Sequence, residues 1–142
     1  MALFSTLRRD TPREPDIRRT GADDPVLAQW GMLTDDPATE YWILDGRDGN
    51  PVGMAWLRPV AGQQGTVQAW ILVDRVVRHF GLGERLWTVL EERARRLKAI
   101  SITSFATGQE GAAFLHDHGF DPTHDETMPD GTVRAHGICQ LR

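Results

Sequence analysis

The chain has a single cysteine, a single tyrosine, no surplus of positive charge and no long apolar run in its 142 residues. Each scarcity excludes a class of protein. Cys139 cannot close a disulfide within the chain, so a small disulfide-stapled scaffold is ruled out, and with no signal peptide legible a reducing, cytoplasmic setting is expected. The apolar runs fall well short of the ~20 residues that span a bilayer, so no membrane partner is expected. The formal net charge is −4, with Arg and Lys dispersed among Asp and Glu, so nucleic acid is not an expected partner either. What remains is an ordinary globular composition, 40% hydrophobic and 25% charged, at a length suited to one core.

Residues 1–16 hold Arg8, Arg9, Asp10, Pro12, Arg13, Glu14 and Pro15 with few apolar groups between them, and read as a flexible N-terminal arm before a domain over 17–142. A short strand candidate from Ile17 is followed by Asp24-Pro25, a cap and first turn for a helix over Val26 to Leu33. Glu40 to Asp45 and Val52 to Arg58 flank a Gly- and Asn-containing turn and predict a hairpin. Val67 to Val73 follows the turn Gly62 to Gly65 as a third antiparallel strand. Leu82, Leu86, Leu90, Ala94 and Leu97 recur at helical spacing, with Glu91 and Glu92 four residues before Arg95 and Arg96. Ile100 to Ala106 is strand-like. Thr107 to Glu110 has the form of a capping box opening a helix that runs through His118 and stops at Gly119, and the tail reads as a hairpin turning at Pro129-Asp130-Gly131.

The chemistry lies in the passage from Ile71 to Leu86, where a strand, a glycine turn and a helix start follow one another. A helix start presents unpaired N–H groups at the positive end of the helix dipole, a site for phosphate oxygens, and Gly81 and Gly83 are expected to let a diphosphate approach the backbone. A dinucleotide fingerprint would need glycine where Leu86 stands, and a P-loop would need Gly-Lys-Ser/Thr, so neither applies.

Arg78-His79-Phe80-Gly81-Leu82-Gly83 resembles the Arg/Gln-x-x-Gly-x-Gly/Ala signature of the GNAT superfamily of N-acyltransferases, and Ala112 to Phe120 resembles that family's second stretch, a helix ending in Gly-Phe. The resemblance implies an α/β (α+β) GNAT fold, a twisted, mixed, mostly antiparallel sheet of six to seven strands flanked by helices. It implies an acetyltransferase using acetyl-CoA as co-substrate, with no metal, on a primary amine of a small molecule or peptide, and a homodimer as one possible assembly. By the same resemblance the strand ending at Leu72 and Val73 splays from its parallel neighbour Ser101 to Ala106. The main chain of Leu72 and Val73 then pairs with the pantetheine arm, while Arg78, His79, Gly81, Leu82, Gly83 and Glu84 hold the diphosphate. The sequence departs from the family at His79, where many relatives have glycine, and at Leu115, where many have the tyrosine that protonates the leaving thiolate.

Two side chains are candidates for the proton chemistry. His118, one turn past Leu115, would reach the sulfur in place of that tyrosine or else face the last carbonyls of its helix. Glu40 would deprotonate the entering amine or else be a solvated strand-end carboxylate. His116, Asp117, His118 and His124 lack the spacing of a metal site, and Cys139 alternates with apolar residues as a buried thiol. Trp30 or Trp42 is a candidate lining for the acceptor pocket. The alternative functions are a GNAT fold turned to other acyl-thioester or small-metabolite chemistry, and a non-catalytic CoA-binding module.

Overall fold

The computed structural model describes residues 15–74 and 81–141. Seven strands form one sheet: β1 (Asp16–Thr20), β2 (Glu40–Asp45), β3 (Pro51–Pro59), β4 (Thr66–Val73), β5 (Ser101–Ala106), β6 (Asp121–Thr127) and β7 (Val133–Gln140). Helices α1 (Pro25–Gln29), α2 (Leu82–Arg96) and α3 (Gln109–Asp117) flank it. The order is β1-β2-β3-β4-β5-β7-β6, antiparallel except for β4 against β5.

Alternation along the strands splits the core in two. Trp42 and Leu44 of β2 join Ala55, Leu57, Val67 and Ala69 beneath α2, whose Leu82, Leu86, Trp87, Leu90 and Ala94 are buried as the periodicity predicts. Tyr41 and Ile43 point the other way, with Met54, Trp56, Phe105 and Leu27 of α1. Full burial of a leucine such as Leu86 or Leu90 contributes about 1.5–3 kcal/mol, so the α2 stripe is a principal anchor of this layer.

Helix α1 is shorter than its sequence suggests because Gly31, at φ 68°, turns the chain after one and a half turns. Asp24 caps it as expected, accepting from the Val26 N–H and from the Thr20 hydroxyl. These bonds, the Thr20 one foremost, hold its carboxyl below the ordinary carboxylate range. The capping box at Thr107 does not form: Gly108 is the N-cap of α3 in extended backbone, with no side-chain cap bond. At the far end of α2, Lys98 adopts φ 64° and closes a Schellman motif, with Lys98 N–H donating to the Arg95 carbonyl and Ala99 N–H to that of Ala94.

The parallel β4–β5 ladder has three rungs, Thr66↔Ser101, Val67↔Ile102 and Gln68↔Thr103, and then stops. Beyond it the Ser104 hydroxyl donates to the Ala69 carbonyl at 2.7 Å. The two strands therefore part toward the C-terminal end of β4, the splay that the resemblance implies.

Candidate active site

Backbone pairing fixes which residues face the split. Asp74 N–H donates to the Val52 carbonyl and Val60 N–H to that of Thr66, so even-numbered residues of β4 exchange bonds with β3. Val67 and Ala69 offer their carbonyls to β5 side chains. By the same alternation the N–H and C=O of Ile71 lie on the open side, whereas those of Leu72 turn to Met54 of β3. Of the pair expected to meet the pantetheine, Val73 keeps the right parity. Leu72 does not, and it is the main chain of Ile71 that faces the open side.

At that end of β4 stands the start of α2. The first bond of α2 among the described residues is Arg85 N–H to the Gly81 carbonyl, and among those residues the N–H groups of Leu82, Gly83 and Glu84 have no acceptor one turn back. Gly81 is needed for its backbone, at φ 76°, and among the described residues nothing lies within 4 Å of where a Cβ would stand. Gly83 also serves packing: a Cβ there would lie 3.2 Å from the Phe114 ring of α3, so its absence lets the two helices meet. Arg78 and His79 of the predicted loop lie outside the described residues.

The structure keeps the two catalytic candidates apart and engages both. Glu40 shares the α2 side of the sheet with Trp42 and Leu44, and its carboxylate accepts from Arg19 and, at 2.9 Å, from Nε of Arg93. His118 sits between α2 and α3. Its Nδ1 is 2.6 Å from the Phe114 carbonyl, its Nε2 is 2.9 Å from Glu84 Oε2, and its ring packs on Phe114 and Trp87. Both of its nitrogens face acceptors. Leu115 packs against the α2-side core. The thiol of Cys139 is buried, and that burial raises its pKa.

On the opposite side of the sheet, beside the split, lies a groove of about 580 Å³. Its floor is aromatic: Trp56 of β3, Trp70 of β4 and Phe105 of β5 run in sequence, with centroids 6.2 and 5.3 Å apart. The tryptophans at this groove are thus Trp56 and Trp70. Trp42 is in the α2-side core, and Trp30 packs against the cluster that holds Trp56 and Phe105 without lining the groove. Arg58 lies over Trp56 with Nε donating to Gln68 Oε1 at 3.0 Å, and Arg134 lies over Phe105. His136 packs against Phe105 and His124, and its Nε2 is 3.0 Å from Glu126 Oε1. A carboxylate only accepts, so the neutral ring carries its hydrogen on Nε2 and its lone pair on Nδ1. A larger depression, about 740 Å³, holds Glu40 and Leu97, but it borders Thr66 and Val67, where β4 and β5 are still paired. The groove at the split is the better reaction site.

A seven-stranded sheet opened between two parallel strands, with a helix start at the mouth of the opening, agrees with the family model that the sequence matches over residues 2–120, described as Acetyltransferase (GNAT) family. The chain belongs to the GNAT acetyltransferase family. Solved structures agree in fold. An N-acetyltransferase of Staphylococcus aureus Mu50 superposes with a TM-score of 0.71 at 16% identity, over 92% of this chain and 100% of that one. The yncA protein of Salmonella typhimurium, solved with its cofactor acetyl-CoA, gives 0.67 at 17% identity, over 92% and 95%. A ribosomal-protein-alanine N-acetyltransferase of Brucella melitensis gives 0.66 at 19%, over 89% and 99%. No curated protein matches the chain. Within the GNAT frame, the residues that sequence reasoning missed are those of the groove. Arg58, Gln68 and Trp70, and Phe105, Glu126 and His136, meet only through strand register, and the one sequence signal was their shared parity along each strand.

Proposed function

We propose that the protein is an acyl-CoA-dependent N-acyltransferase that moves an acetyl or short acyl group from acetyl-CoA to a primary amine of a small molecule or peptide by direct attack. The observation that carries this reading is the β4–β5 ladder ending after three rungs, which leaves the Ile71 N–H and C=O beside the aromatic groove. The chain's residues fit the co-substrate. The amides of Leu82, Gly83 and Glu84 suit diphosphate oxygens, with Arg78 and His79, which precede them in the sequence, as further partners. The main-chain edge of Ile71, on the open side of β4, suits an amide of a pantetheine arm.

In this account the amine nitrogen bonds to the thioester carbon and the carbon–sulfur bond breaks. The Ile71 N–H holds the oxygen on which charge develops. His136 Nδ1 takes the proton shed by nitrogen, while Glu126 fixes the ring through Nε2. The leaving thiolate takes its proton from solvent, since Leu115 offers none and His118 is held by Glu84 and the Phe114 carbonyl. Glu40 is assigned to structure.

Calorimetric titration with acetyl-CoA tests the binding half of this reading. The expected result is saturable binding by the wild type that is lost in Gly81→Trp, whose side chain would stand at the start of α2. Undiminished binding by that variant would place the co-substrate elsewhere.

A further inference from the structure

The groove carries charges of both signs in a definite arrangement. Arg58 and Arg134 form no ion pair among the described residues, yet neither is a loose surface side chain. Arg58 is half-buried, laid on the Trp56 ring at 4.8 Å, and its Nε is fixed by Gln68 at 3.0 Å, so its plane is set and its terminal N–H groups remain to be used. Arg134, also half-buried, lies 4.5 Å over the Phe105 ring. A guanidinium held flat by an aromatic face and one hydrogen bond loses little freedom on meeting a planar anion, so a carboxylate is its natural complement. Asp35 and Glu126 line the same groove and supply negative charge for an ammonium, and the aromatic floor supplies an apolar surface between the two signs.

We infer that the acceptor is an amino acid-like zwitterion, a primary amine that bears a carboxylate and an apolar or aromatic body. Its carboxylate meets the guanidinium of Arg58, with Arg134 adding positive charge at the β7 side. Its body lies on Trp56, Trp70 and Phe105, and its amine lies toward His136. This rests on the reading of the groove as the acceptor site of an N-acyltransferase. It goes further by naming what distinguishes this groove from one built for a neutral amine or a polycation, which the two guanidinium groups would repel.

L-phenylalanine, phenylalaninamide and phenethylamine share a ring and an amine and differ in the carboxylate. Two readouts separate binding from transfer: quenching of tryptophan fluorescence, assigned to the groove with Trp70→Phe, and thiol release from acetyl-CoA. Phenylalanine should quench and be acetylated at least tenfold more efficiently than either neutral probe. Arg58→Met, which keeps an apolar cover on Trp56, should weaken phenylalanine binding roughly ten- to hundredfold, the range for losing charge-assisted hydrogen bonds, so that discrimination collapses. Arg58→Lys, which keeps the charge without the planar fork, should fall between. Arginine-dependent binding of phenylalanine without thiol release would support the ligand class and sink the transfer reading. Equal turnover of the neutral probes would overturn the ligand class and leave transfer standing. Absence of phenylalanine binding, or binding unchanged in an Arg58→Met, Arg134→Met double variant, would also overturn it.

Discussion

Glu40 separates a structural from a catalytic assignment, because the two predict opposite patterns. Its carboxylate is 15% exposed and joins β2 to Arg19 of β1 and to Arg93 of α2, so one side chain ties two strands to the main helix. A charge-assisted hydrogen bond contributes about 1.5–3 kcal/mol when well buried. Arg19 is 53% exposed and Arg93 33%, so solvent screening reduces both bonds, and about 1–2 kcal/mol is a fair sum. For a domain of this size Glu40→Ala should therefore lower Tm by roughly 3–8 °C. Glu40→Gln, which can still accept from one arginine, should lose about half as much. The rate should barely respond: with a suitable amine, kcat in Glu40→Gln should stay within about twofold of wild type. A general base contributes about 10²–10⁴-fold. The assays are thermal unfolding by circular dichroism and thiol release under saturating substrates. A hundredfold fall in kcat with Tm unmoved would refute the structural assignment and restore Glu40 as the base.

Four further outcomes follow from the same geometry. His136→Gln should lower kcat about a hundredfold or more with little change in KM; a kcat within about threefold of wild type would remove His136 from the proton path. Gly83→Ala gains up to about 1 kcal/mol in helix propensity but drives a Cβ to 3.2 Å from Phe114, itself backed by the His118 ring at 4.0 Å. Overpacking of about 1–3 kcal/mol should win, and urea titration should show a net loss. Lys98→Gly should raise stability by about 1 kcal/mol by relieving a left-handed backbone at an exposed Schellman position, read as a higher urea midpoint. The Asp24 carboxyl is held below its ordinary range, so its contribution is present above the unfolded value and fades as pH falls through the lower folded one. The Tm advantage of wild type over Asp24→Asn should accordingly shrink on acidification, and a constant difference down to pH 2 would contradict the cap.

Much of the frame was legible because it rests on local rules. The β2–β3 hairpin announced itself by alternation around a Gly- and Asn-rich turn, and α2 by its apolar period and basic last turn. The second half of β6 could be read from its turn, but not its start at Asp121, because every residue of that strand is exposed and no apolar alternation marks it. The capping box failed because Gly108, in extended backbone, takes the N-cap position beside Thr107. The packing constraint on Gly83 was not legible, since its contact partner, Phe114, is thirty-one residues away along the chain and on another helix. The site itself was the least legible part. His118 and Glu40 stood out by residue type, yet their partners Glu84 and Arg93 engage them, and those contacts are tertiary. The groove joins five strands: alternation along β3 sets Arg58 on the same face as Trp56, but no local pattern places it near Gln68, or His136 near Glu126 and Phe105.

The most direct test of the account is mass spectrometric detection of product after incubating the protein with acetyl-CoA and a panel of primary amines. The prediction is an N-acetylated amine formed in step with free CoA, at a rate about a hundredfold or more lower in His136→Gln. Tight acetyl-CoA binding with no new amide from any amine, or CoA release with no amide, would contradict it.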